Sequence, residues 1–156
     1  MLRCGKTAQS AIAAMSALAV AYDGGKTCLS SLDIAKQRGL PAPLVAKLLT
    51  TLSLKGLILG SRGPGGGYWL AKTPSKISLA HIAELFEKDT EGIMCPFGPD
   101  WCGNGAPCPL HDDLAKMNHE WEEFLHKTTL AVFSKAKNNP VACHPQRHTT
   151  GLVFPT

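Results

Sequence analysis

The 156-residue sequence predicts a mainly α-helical fold with one small β-hairpin, followed by a long helix suited to pairing with a second copy. Three observations carry that expectation. Apolar residues recur at helical spacing in three segments before residue 87. A glycine-rich run, RGPGGG at 62–67, sits between two short apolar arms. Beyond residue 111, Leu114, Met117, Trp121, Phe124, Thr128 and Ala131 follow one another at intervals of 3, 4, 3, 4 and 3, a seam of heptad type.

Residues 6–22 read as the first helix, with Ile12, Met15, Leu18 and Tyr22 on one face. Asp23-Gly24-Gly25 stops it. Ser30 or Ser31 caps a second helix over 32–38, and Gly39 ends it. Pro41 or Pro43 suits the first turn of a third helix, which runs to about Lys55 with Leu44, Leu48, Leu49 and Leu52 inward. Two short helices across a glycine-containing turn make a helix-turn-helix. Leu57 to Leu59 and Tyr68 to Ala71 read as strands around the glycine tip, so the unit is a winged helix-turn-helix. Pro74, Ser75 and Ser78 introduce a fourth helix carrying Leu79, Ile82, Leu85 and Phe86.

A last helix is expected from about Asp112 to Lys137, roughly 39 Å long. Asp112 and Asp113 in its first turn and Lys135 and Lys137 in its last suit the helix dipole. A small domain cannot hide such a seam, so a two-fold homodimer is expected, with the fourth helix covering part of it. The expected organisation is a DNA-reading domain over 1–90, a ligand loop over 91–111, a dimerisation helix over 112–137 and a disordered tail over 138–156.

Charge is divided unevenly. Residues 1–80 hold ten Lys or Arg and two acids, Asp23 and Asp33, whereas residues 81–156 hold six and ten. A basic half gains affinity for a polyanion by releasing counterions, which points to double-stranded DNA; a basic solvated surface is the plain alternative. No apolar run reaches the roughly 18 residues of a membrane helix. Ala11 to Ala21, after Arg3 and Lys6, imitates a signal peptide, but its ordered apolar face reads as a core helix. A cytoplasmic protein without a membrane partner is expected.

On the third helix, Ala42, Pro43, Ala46, Lys47, Thr50 and Thr51 lie away from the leucines and face the major groove. Pro43 and Ala46 offer apolar contact to a thymine methyl, and Lys47 reaches guanine or phosphate. Lys36 and Arg38 suit the DNA backbone. At the tip, Arg62 suits a narrow minor groove, and Gly65, Gly66 and Gly67 let backbone amides approach phosphate. An ordinary hairpin loop is the bland alternative. No Gly-Lys-Ser/Thr follows, so this is no nucleotide loop. Without a nucleophile elbow or a metalloprotease helix, an enzyme is not expected.

Six cysteines in such a chain point to metal or redox chemistry rather than three disulfides. The segment CPFGPDWCGNGAPCPLHD spaces Cys95, Cys102, Cys108 and His111 as Cys-x6-Cys-x5-Cys-x2-His. Thiolates select zinc or iron–sulfur clusters, and the spacing alone leaves both open. It does lack the close cysteine pairs common in structural zinc sites. Trp101 is placed to shield such a centre from water. Cys28 reads as a small buried residue. His81, His119 and His126 need no ligand role, and Cys143, His144 and His148 read as incidental.

The string GLILGSRGPGGGYWLAKTPSKISLAHIAELFE resembles the wing and following helix of the IscR/NsrR family of bacterial regulators, the Rrf2 type. MLRCGKTAQSAIAAMSALA is similar to that family's first helix, with one extra residue. The resemblance covers residues 1 to about 137. It implies a homodimeric transcriptional regulator with crossing long helices and, in many members, an iron–sulfur cluster near the dimer interface. Cys95, Cys102 and Cys108 match the family's three cysteines in order, with one more residue between the first two. His111 matches the fourth ligand of the IscR branch. The NsrR branch uses an acid on the first helix, where this sequence has Gln9. The resemblance therefore implies [2Fe-2S] rather than [4Fe-4S], with Cys4 as the competing fourth ligand. Two other readings stay open: a winged-helix regulator using zinc or thiol redox, and an electron-transfer module whose basic half docks an acidic protein.

Overall fold

The computed structural model describes residues 5–87 and 107–136. The elements are α1 (Lys6–Val20), α2 (Ser31–Arg38), α3 (Ala42–Leu54), β1 (Ile58–Ser61), β2 (Gly67–Leu70), a 3-10 turn at Pro74–Lys76, α4 (Leu79–Ala83), α5 (His111–Lys127) and α6 (Ala131–Ala136). The expected fold class is the one observed: helices carrying a single antiparallel hairpin.

Local chemistry sets most boundaries. The Ser30 hydroxyl accepts from Asp33 N–H, and the Asp33 carboxylate accepts from Ser30 N–H, a capping box that starts α2. Gly39, at φ +62°, closes α2 in the left-handed conformation. Pro41 stands at the N-cap of α3, and Pro43 occupies its first turn, where no amide hydrogen is needed. The strands pair Ile58 with Leu70 and Ser61 with Gly67.

The core gathers around α1. Six consecutive residues of this helix, Ala14 to Ala19, are buried, because α2, α3, α4, α6 and β2 all pack against it. The expected single face of Ile12, Met15, Leu18 and Tyr22 understates this: α1 ends at Val20, and Ile12 and Tyr22 are only half-buried. Alanines let neighbouring backbones come close on every side. Met15, Ile34, Leu48, Leu49, Leu52, Ile58, Ile77, Ile82 and Leu130 are fully enclosed. Each such side chain stabilises the fold by about 1.5–3 kcal/mol relative to exposure.

The helix expected over 112–137 is two helices. α5 stops at Lys127 after about 26 Å. Thr128 takes an extended conformation, and its carbonyl accepts from Leu79 N–H at 2.9 Å. Leu130 N–H donates to Ile77 carbonyl at 2.9 Å, so residues 128–130 pair with 77–79 like two short strands. Thr128 and Thr129 are β-branched and lose little by leaving a helix. Leu130 then enters the core and α6 turns back onto α1. Thr128 and Ala131 therefore leave the line of Leu114, Met117, Trp121 and Phe124. The tail expected to be disordered, 138–156, lies outside the described residues.

The wing is fixed to the body by a third extended segment. Leu29 N–H donates to Tyr68 carbonyl at 3.0 Å, and Tyr68 N–H donates to Leu29 carbonyl at 2.8 Å. Gly67 lies against the same backbone: a Cβ there would fall 2.8 Å from the Leu29 carbonyl carbon and oxygen. Gly67→Ala is expected to destabilise the protein by about 1–3 kcal/mol, seen as a lower urea or thermal midpoint.

Candidate nucleic-acid interface and metal loop

α3 turns Val45, Leu48, Leu49 and Leu52 inward. Pro43, Ala46, Lys47 and Thr50 are exposed on its outer face, while Ala42 and Thr51 are half-buried at its margin. Lys36 is exposed and Arg38 half-buried on α2. The threonine hydroxyls have a local use: Thr50 Oγ1 donates to Ala46 carbonyl at 2.9 Å and Thr51 Oγ1 to Lys47 carbonyl at 3.4 Å. These side chains therefore offer a ligand methyl groups and acceptor lone pairs, not donor hydrogens. Arg62 and Gly65 are exposed at the wing tip, and Gly66 is half-buried. Gly67 is buried against Leu29, so close backbone approach, not contact with a ligand, accounts for that glycine.

Between α3 and the wing runs an open groove of about 290 Å³, lined by Thr50, Ser53, Leu54, Gly60, Ser61, Arg62 and Tyr68. Ser53, Ser61 and Tyr68 were not among the residues expected to face a ligand. Ser53 follows Thr50 by three positions and so shares its helical face, a signal the sequence does carry. Tyr68 reads simply as a strand residue.

The two acids of the basic half are held in local structure. Asp23 accepts from Thr27 hydroxyl at 2.6 Å and from the Lys26 and Thr27 amides at 2.8 Å each. Asp33 accepts from Ser30 hydroxyl at 2.6 Å. The hydroxyl of Thr27 foremost holds Asp23 below the usual carboxylate range, and that of Ser30 does the same for Asp33. Neither acid lines the groove. Cys28 is half-buried rather than buried, and its thiol donates to Gly65 carbonyl at 3.1 Å, a contact across 37 residues of sequence.

Two of the four expected metal ligands fall within the described residues. Cys108 is 5% exposed. His111, half-buried, is the first residue of α5, and its amide donates to Cys108 carbonyl at 3.0 Å. A single turn thus joins a sheltered sulfur to the start of a helix. Cys95, Cys102, Cys4 and Trp101 lie outside the described residues, as do Cys143, His144 and His148.

α5 has an inward and an outward side. Leu125 is buried where α5 packs on α4. Met117 and Phe124 remain 52% and 49% exposed. Phe124 stacks on half-buried Trp121 with ring centres 5.5 Å apart. The histidines sit at the surface: His81 Nδ1 accepts from Ser78 N–H, His119 lies 3.9 Å from Glu123, and His126 lies 3.7 Å from Glu84.

Residues 5–136 match the family model of Rrf2, iron-dependent transcriptional regulators. The chain belongs to the Rrf2 family. Among Rrf2-type relatives, the transcriptional regulator IscR of Serratia proteamaculans is 27% identical over 140 residues, covering 90% of this chain and 84% of that protein. The structure of T. potens IscR is similar with a TM-score of 0.68 at 24% identity, over 92% of this chain and 94% of the other. CymR, the global cysteine regulator of B. subtilis, gives a TM-score of 0.67 at 24% identity over 86% of this chain and 98% of the other. Both structures share the winged-helix fold. Rrf2 proteins are regulators, not enzymes, and they bind DNA; exposed Lys47 on α3 and exposed Arg62 at the wing tip suit that partner. Among the described residues, no helix is long and apolar enough to cross a membrane.

The depressed carboxylates give this Rrf2 chain a pH signature. Their folded pKa values lie below the unfolded ones, so their stabilisation is present above the unfolded pKa and is lost as pH falls through the folded pKa. The Lys26 and Thr27 amides are expected to keep their NMR shifts from neutral pH down to about 4 and to move below it, once Asp23 takes up a proton. A transition near neutrality would contradict this.

Proposed function

We propose that this Rrf2 regulator is governed by an iron–sulfur cluster held by Cys95, Cys102, Cys108 and His111, and that the cluster's state sets how a homodimer grips DNA. The observation that carries the reading is the turn from Cys108 to His111. It places a sheltered thiol and an imidazole at the head of α5, whose far end is bonded into the DNA-reading domain at Thr128 and Leu130. The resemblance to the IscR branch, with His111 at its fourth-ligand position and Gln9 where the NsrR branch has an acid, favours [2Fe-2S] over [4Fe-4S], and mixed Cys/His ligation of such clusters is known chemistry. When bound, such a group supplies a centre that responds to redox change or to small reactive ligands.

This chain's own residues do the rest. Cys108 and His111 fix the loop to α5. α5 carries any displacement of the loop to residues 77–79 through the Thr128 and Leu130 hydrogen bonds. Leu114, Met117, Trp121 and Phe124 pair the two copies, so the spacing of the two α3 helices follows α5. Pro43, Ala46, Lys47 and Thr50 meet base edges in the major groove, with Ala42 and Thr51 at the margin. Lys36 and Arg38 hold the backbone, and Arg62, with Gly65 and Gly66 beside it, enters the minor groove. A coupling of about 1–3 kcal/mol would switch affinity roughly 5- to 150-fold.

Anaerobic purification should give a coloured protein with iron and sulfide in equal amounts. Cys108→Ala is expected to lose both. His111→Ala is expected to retain iron but shift the visible spectrum; an unchanged spectrum would move the fourth ligand to Cys4. A colourless, iron-free wild type after reconstitution would refute the cluster. Phe124→Asp is expected to shift sedimentation from dimer to monomer and to weaken DNA binding, because it charges the exposed apolar side of α5.

A second reading is favoured by the likeness to CymR and by the half-buried Cys28 thiol at the wing: a regulator that senses thiol state without a cluster. Metal-free protein whose DNA affinity changes on thiol alkylation would establish that reading instead. Zinc in place of iron would mark the third variant.

A further inference from the structure

We propose that the groove between α3 and the wing seats one backbone phosphate of the bound duplex, with Tyr68, Ser53 and Ser61 as neutral donors beside Arg62. The proposal rests on the DNA-reading function and adds a phosphate site to it.

Its grounds are geometric. Ser53, Ser61, Arg62 and Tyr68 converge on the groove from α3, β1, the wing tip and β2. Among the described residues none of these four side chains has a hydrogen-bond or ion-pair partner within the protein. All four present N–H or O–H donors, and the lining contains no carboxylate, so the chemistry fits an anion. Leu54 walls the same groove and is 82% exposed. An apolar side chain so placed suits the hydrocarbon face of a deoxyribose next to the phosphate.

Tyr68 is held before any ligand arrives. Gly60 faces it across the hairpin, and a Cβ there would fall 3.0 Å from Tyr68 Cδ1 and 3.1 Å from Cε1. The ring therefore lies over the bare Gly60 backbone. Leu29 holds the Tyr68 backbone through two hydrogen bonds. A phenol fixed at both ring and backbone loses little freedom when it binds, which favours affinity. Thr50 lines the groove too, but its hydroxyl hydrogen is already given to Ala46. The phosphate's hydrogen-bond partners are thus Tyr68, Ser53 and Ser61, while Arg62 lends its charge from the groove's edge as it reaches toward the minor groove.

The test uses the full-length protein and a duplex that wild type selects from a random pool. Tyr68→Phe keeps the ring on Gly60 and removes only the hydroxyl; Ser53→Ala/Ser61→Ala removes the two serine donors. Each is expected to lower affinity roughly tenfold, equally for the selected duplex and for base-substituted versions of it, because phosphate contacts carry no sequence information. Arg62→Ala is expected to reduce the salt slope by about one contact, whereas Tyr68→Phe leaves the slope unchanged. Replacing single phosphates by neutral methylphosphonate should reveal one position per half-site where wild type loses affinity and Tyr68→Phe loses no more. Variants that bind as wild type does, or a methylphosphonate penalty the same in both proteins, would overturn the phosphate site alone. A wild type that binds no duplex at any salt concentration would overturn the DNA reading and this site with it.

Discussion

The wing's position depends on two hydrogen bonds between Leu29 and Tyr68. A two-stranded hairpin has little stability in isolation. Here the segment before α2 adds a third strand at one point, and Gly67 allows the approach by having no side chain. Cys28, the residue before Leu29, adds a sulfur contact to the tip at Gly65. The wing is therefore tied to the N-terminal side of α2, not merely extended from α3. Helix and wing keep one separation, and the groove between them keeps one width.

A second coupling runs through α5. This helix leaves Cys108 and His111 at one end and is joined by backbone hydrogen bonds to Ile77 and Leu79 at the other. Had it continued as one straight helix to residue 137, its far end would have run past the domain. Instead the break at Thr128 brings Leu130 into the core and α6 onto α1. A change at the loop would be transmitted to the domain as movement of a rigid element. In the same structure Met117 and Phe124 keep their apolar side outward, so the lever would also be the dimer contact.

Much of this was legible in the sequence. Ser30 or Ser31, Gly39, and Pro41 or Pro43 are short-range signals, and they place α2 and α3 within a residue or so of the observed ends. The hairpin arms were legible for the same reason, though β1 extends to Ser61 because pairing with Gly67 holds it. The break in α5 was not legible. Thr128 and Ala131 continue the heptad count, and only pairing with residues 77–79, some fifty positions away, decides against the helix. The all-round burial of α1 was hidden because alanine and serine mark a close approach without marking a face. Of the candidate sites, the outward residues of α3 follow from periodicity alone. Tyr68 does not, since its place in the groove depends on Gly60 across the hairpin and on Leu29 far before it. Cys95 and Cys102 were legible as chemistry, but their positions lie outside the described residues.

The outer face of α3 has a further consequence for how such a protein would select its site. It carries one charged side chain, Lys47, and no Arg, Asn or Gln able to form the two-pronged contacts that discriminate bases by about 1–3 kcal/mol each. The hydroxyl hydrogens of Thr50 and Thr51 are already committed to their own helix. What remains is apolar contact from Pro43 and Ala46, the acceptor lone pairs of the threonines, and Lys47. One such helix would discriminate weakly. Two copies at a set spacing, each with a wing reading groove width through Arg62, would discriminate far better, because the errors of both half-sites add. In that arrangement specificity resides in the spacing rather than in any one helix. The element that sets the spacing is α5, which is why a ligand loop at its head would be an effective place to control binding.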